Sequence, residues 1–188
     1  MKLRMPKSPV LTAVGVIVTV AAAAVVWQNL PTPTDLYGPF DVHGEAGAPA
    51  EGRAVTATVT AVRIAPQVNS IQAAGQFVVV DTTLEADRNT GLPHSELIVG
   101  PNTYAPSDRF FVKTLRAEIS PGMTQRGSWV FEVASALVEP DASDPLTLRV
   151  WVGDAFLDSR LVIRIPADDP RVSRTEAIDL EPPVESVS

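Results

Sequence analysis

The chain has 188 residues, a formal net charge of −7, 45% hydrophobic residues, 17 prolines and 11 glycines. It has no cysteine, which excludes disulfides, thiolate catalysis, thiolate metal sites and a lipid anchor carried on Cys. Three of the 15 basic residues (Lys2, Arg4, Lys7) precede the first apolar run and all 22 acidic residues follow it, leaving −10 beyond it. A surface of that sign argues against nucleic-acid binding and against broad docking on anionic lipid.

Val10 to Trp27 is an uncharged run of 18 residues, VLTAVGVIVTVAAAAVVW. As a helix it would extend about 27 Å, close to the roughly 30 Å of a bilayer core. Basic residues precede it and none follows until Arg53. The positive-inside rule then places residues 1–9 in the cytoplasm as a basic tail and everything after Trp27 outside. Two readings fit residues 10–27: an uncleaved transmembrane anchor, or a signal peptide cleaved near Ala22–Val25. Both export the rest of the chain.

Residues 28–45 read as a linker, stiffened by Pro31 and Pro33, with room for a first short strand after Leu36. From residue 46 to 166 the signal is period two. Val55, Ala57, Val59 and Ala61 alternate with threonines, and the apolar phase then slips to Val62 and Ile64, as at a bulge. The next strand opens at Gly75, with Val78, Val80, Thr82 and Leu84 on one side and Asp81, Thr83 and Glu85 on the other. Arg88 to Pro93 is a turn, and Glu96 to Val99 a short strand closed by Gly100-Pro101. Phe110 to Val112 and Ala117 to Ile119 are weaker strand candidates, and Ala134 to Val138 suits one helical turn.

Trp129, Phe131 and Val133 share a face, as do Leu146, Leu148, Val150 and Val152, and then Leu161, Ile163 and Ile165. No helix of ten residues is expected beyond the N-terminus. Short strands at regular spacing predict an all-β, antiparallel β-sandwich. Residues 167–188 lose the alternation, and their six acidic residues and three prolines predict a disordered acidic tail.

The run Gly75-Gln76-Phe77-Val78-Val79-Val80-Asp81 is followed by Gly100-Pro101-Asn102-Thr103-Tyr104, Ser120-Pro121-Gly122 and Trp129-Val130-Phe131-Glu132-Val133. Together they resemble the telokin-like, immunoglobulin-like extracellular domain family of unknown function. That family is similar in fold to a secreted mycobacterial immunoprotective antigen. The resemblance spans roughly Gly44 to Ile165, with Ile119 standing where the family has Leu before the Pro-Gly turn. It implies an immunoglobulin-like sandwich and supplies no catalytic residues. The Ala- and Arg-rich, Lys-poor composition suits a high-GC actinobacterium.

Candidate sites are sparse. His94-Ser95-Glu96 places a base, a hydroxyl and a carboxylate in sequence, but a strand sends neighbours to opposite faces. His43 and His94 would hold a metal only by meeting in space. Glu139, Asp141 and Asp144 put oxygen ligands for calcium in one loop, without the glycine and spacing of a helix–loop–helix calcium site. Asp81 and Glu85 offer an acidic face, for cross-strand ion pairs or a basic partner. Trp151 falls on the polar side of its strand, where an aromatic suits a partner. No phosphate loop, metalloprotease motif, acyl-transfer motif or cofactor signature is present.

The expectation is a non-catalytic, membrane-anchored extracytoplasmic module that contacts a membrane or envelope protein. The alternative is an extracytoplasmic sensor of a small ligand or calcium.

Overall fold

A computed structural model describes residues 9–30 and 37–187, with side chains from residue 12 onward. The expected cytoplasmic tail with Lys2, Arg4 and Lys7, and the linker prolines Pro31 and Pro33, lie outside the described residues. The chain divides into two compact units, Met1–Gly38 and Pro39–Ser188.

The first unit carries helix α1 (Pro9–Gln28), an uncharged twenty-residue segment. Its apolar side chains lie all round the helix with no polar stripe, and those described are exposed throughout. Among the described residues no helix is long and apolar enough to cross a membrane.

Among the described residues the second unit has eleven strands, β1 (Phe40–Glu45), β2 (Ala50–Glu51), β3 (Val55–Val68), β4 (Ile71–Ala86), β5 (Pro93–Val99), β6 (Asn102–Tyr104), β7 (Met123–Val133), β8 (Leu146–Val152), β9 (Ser159–Ile165), β10 (Val172–Arg174) and β11 (Val184–Val187). They form a two-sheet sandwich. One sheet runs β1-β9-β8-β5-β6, the other β10-β3-β4-β7-β11, with β2 paired to β3. Most pairings are antiparallel, but β1 lies parallel to β9 and β10 parallel to β3, so the sandwich is not purely antiparallel as expected.

The main core lies between the sheets. Val55, Ala57, Val59, Val62 and Ile64 from β3 meet Val78, Val80 and Leu84 from β4, Trp129 and Phe131 from β7, and the inward residues of β5, β8 and β9. The phase slip in β3 is a register shift between Val59 and Ala61. One extra residue there returns Val62 and Ile64 to the interior.

The turn between β3 and β4 is Asn69-Ser70, both residues at positive φ, 46° and 65°. That is the backbone of a two-residue hairpin turn whose twist matches the strands. Strand β4 therefore begins at Ile71, four residues before the expected start at Gly75. Gly75 instead sits mid-strand, where a Cβ would run into the carbonyl oxygen of Val133.

A second, smaller core lies on the outer face of the six-stranded sheet. Phe77 and Val79 of β4, Ala65 and Val68 of β3, and Val130 of β7 are covered there by Phe110, Ile178 and Leu180. Phe110 belongs to a 3-10 turn, Asp108–Lys113, in place of the expected strand at 110–112. It meets Phe77 edge to face at 5.4 Å. Ala117 to Ile119 forms no strand, only an isolated bridge from Ile119 to Gly91.

Ile178 and Leu180 come from the segment expected to be disordered. The amide of Leu180 donates to Asn69 Oδ1 (2.9 Å), Lys113 Nζ donates to the Leu180 carbonyl (2.9 Å), and β10 and β11 join the sheet edges. Residues 167–187 are therefore part of the fold. At the other end, Phe40–Glu45 is strand rather than linker.

Candidate functional site

The outer face of the five-stranded sheet is fixed by alternation. Leu146, Leu148, Val150 and Val152 of β8 point inward, so Thr147, Arg149 and Trp151 point out. Strand register sets their neighbours. Trp151 lies opposite His94, and Arg149 opposite both Glu96 and Val162. Across β9, Arg160 lies opposite Asp41 and Arg164 opposite Glu45.

The indole of Trp151 is half-buried and stacks on the His94 imidazole, with centroids 5.7 Å apart and planes 19° apart. Arg160 donates to Asp41 from Nε (2.8 Å) and Nη2 (2.7 Å), and Arg149 Nη1 stands 3.7 Å from Glu96 Oε2. Arg164 is exposed and makes no ion pair among the described residues. The face is thus a flat platform: a stacked aromatic pair at one corner, guanidiniums through the middle, carboxylates at the margins. It can bind by stacking and by ion pairs.

Asp81 and Glu85 lie on the opposite face of the molecule, outside the six-stranded sheet. Asp81 Oδ1 accepts from Arg63 Nη2 (2.7 Å) and Ser128 Oγ (2.6 Å), so its carboxylate is engaged within the sheet. Glu85 is exposed, between Thr56 and Thr124 in register. Asp81 faces a broad groove of about 750 Å³ whose far side is Asp179, Glu181 and Pro182 from the ordered tail.

Glu139, Asp141 and Asp144 do not gather. Among the described residues no group of three His, Asp or Glu side chains is placed to hold a metal ion. The Glu139 carbonyl oxygen instead accepts from Arg174 Nη2 (2.9 Å). His43 on β1 and His94 on β5 are separated by β9 and β8, which puts them about 14 Å apart across the sheet. In β5, His94 and Glu96 face outward while Ser95 is buried, so these three residues form no catalytic cluster.

One feature escaped the sequence reading. Beside β5, where β6 covers only residues 97–99, the segment Ala105–Arg116 crosses to the stretch of β7 that β11 leaves uncovered, bonding at Ser128 and Val130. It encloses a hollow of about 400 Å³ lined by Leu92, Pro93, Ser95, Phe111, Arg116 and Trp129, among others. The available signal was Ser95 itself, a hydroxyl at an inward position between Pro93 and Leu97.

No family model matches the chain, and no curated protein matches it. Among solved structures, an uncharacterized β-sandwich protein from Clostridium difficile 630 is similar, with 12% identity and a TM-score of 0.43. The match covers 67% of this chain and 95% of that one. At that score the likeness carries no argument about function, and the two-sheet sandwich rests on the strand pairings above.

Proposed function

We propose that this chain is a non-catalytic recognition module of the cell envelope. Residues 10–27 hold it at a membrane with the N-terminus cytoplasmic, and the sandwich stands on the extracytoplasmic side. Its partner is a membrane or envelope protein, contacted through the outer face of the five-stranded sheet. The observation that carries this reading is Trp151, stacked on His94 and open on a sheet face beside Arg149 and Arg160. Tryptophan and arginine are the residue types that concentrate binding energy in protein interfaces.

Two features support the rest. The sequence of α1 carries no charge, its only polar side chains before the Trp27 indole are Thr12 and Thr19, and the Thr19 hydroxyl donates to the Gly15 carbonyl within the helix (2.9 Å). The strand order β3-β4-β7 facing β6-β5-β8-β9 supports the immunoglobulin-like reading, since it follows strands A, B and E facing C′, C, F and G.

The test is site-specific photo-crosslinking of the full chain in native membranes. A photoreactive residue in place of Trp151 is expected to give a discrete adduct, while one in place of Glu85, on the other sheet, is not. Adducts at both positions, or at neither, would overturn the assignment of the face.

A further inference from the structure

The hollow beside β5 contains a mismatch between its walls and its polar atoms. Trp129 and Ser95 both line it, and they are only 1% and 4% exposed. Trp129 Nε1 and Ser95 Oγ have no hydrogen-bond partner. Buried donors in native proteins are nearly always satisfied, and leaving one unmet is costly. Here two occur in the lining of one hollow whose volume falls in the range of small-molecule sites.

We infer that this hollow binds a small, uncharged molecule with an apolar body and a carbonyl oxygen. The indole N–H can only donate, so the occupant has to bring an acceptor; the Ser95 hydroxyl can donate to the same oxygen. Leu92, Pro93 and Phe111 supply an apolar wall for the body. The one arginine of the lining is already engaged, and the His94 imidazole is stacked on Trp151. Arg116 donates to Asp108 Oδ1 (2.7 Å) and to the Pro106 carbonyl (3.0 Å), with its guanidinium 5.4 Å from the Phe111 ring centroid. An anionic head would enter with no unpaired cation to meet it, which disfavours a carboxylate. Neither unpartnered atom is open to water, so the occupant enters by moving the cover. The cover includes exposed apolar groups, Phe111 at 58% and Leu92 at 45%. The hollow adjoins the platform at His94, which lines it and stacks on Trp151, but the two unpartnered atoms belong to Ser95 and Trp129 on the inward side.

The experiment follows the indole N–H resonances of the full chain in lipid nanodiscs, titrated with benzamide, benzoate and toluene. Trp27→Phe and Trp151→Phe, both at accessible positions, leave the Trp129 signal to be assigned. Benzamide is expected to move the Trp129 N–H downfield saturably, benzoate more weakly, and toluene not downfield at all. Ser95→Ala should weaken benzamide about fivefold, the loss of one neutral hydrogen bond. Four results would overturn the inference: no saturable response to benzamide by roughly 10 mM, a range that detects millimolar binding; benzoate binding more tightly than benzamide; equal affinity in Ser95→Ala; or a response confined to Trp151.

Discussion

Trp151 and Gly75 show how differently single residues act in this fold. Trp151 sits on the surface of its sheet, so its truncation leaves the core intact. Trp151→Ala should lower unfolding stability by about 1 kcal/mol or less while abolishing the envelope contact. Urea denaturation and crosslinking from a neighbouring outward position, Thr147, would read the two effects separately. Gly75 is the reverse case, a position with no chemistry and no room. Its missing side chain lets β4 pass against the Val133 carbonyl, and Gly75→Ala should cost more than about 1 kcal/mol because backbone has to shift. A midpoint unchanged in urea would show that the strands separate there easily.

At the scale of elements, the C-terminal segment is the part whose role differs most from expectation. Ile178 and Leu180 are 3% and 2% exposed. Leu180→Ala should therefore cost about 2–4 kcal/mol, as for other buried leucines. Val184→Ala, at a position 64% exposed, should stay within about 0.5 kcal/mol of the parent. Hydrogen exchange would add a location: in Leu180→Ala, amides at the outer face of β3 and β4 near Val68 and Phe77 should lose protection before those of β8 and β9.

The strands themselves were legible because alternation is a direct imprint of a two-faced sheet. The slip after Val59 was legible as a bulge for the same reason. The tail was not, because its few apolar residues, scattered among acids and prolines, carry no sustained period. Their partner surface was written in plain view, however. Phe77, Val78, Val79 and Val80 form an unbroken apolar run, the mark of a strand covered on both sides. The hairpin Asn69-Ser70 was missed because it contains no glycine. Trp151 was correctly placed outside by its phase, whereas the hollow depends on a crossing segment that no local pattern announces.

At the scale of the molecule, the division after Gly38 predicts that the sandwich is self-sufficient. A chain starting at Pro39 should unfold in one cooperative thermal transition, followed by circular dichroism. A broad, uncooperative transition would mean that the N-terminal unit contributes to folding. The full chain should resist alkaline extraction from membranes and the shortened chain should not; release of both, with α1 intact by mass, would remove the anchor reading. N-terminal sequencing of the mature protein separates anchor from cleaved signal.

Strand β4 serves as a party wall between two interiors along its middle and as an ordinary outer wall further on. Its residues 77–80 are all completely buried, whereas from Asp81 to Ala86 partly or fully exposed positions alternate with hidden ones. A saturation-mutagenesis map of this strand should therefore change texture midway. Four consecutive positions would accept almost nothing polar, followed by a stretch in which tolerance switches on and off at every second residue. The boundary between the two regimes falls at Asp81, whose ion pair with Arg63 marks the rim of the smaller interior.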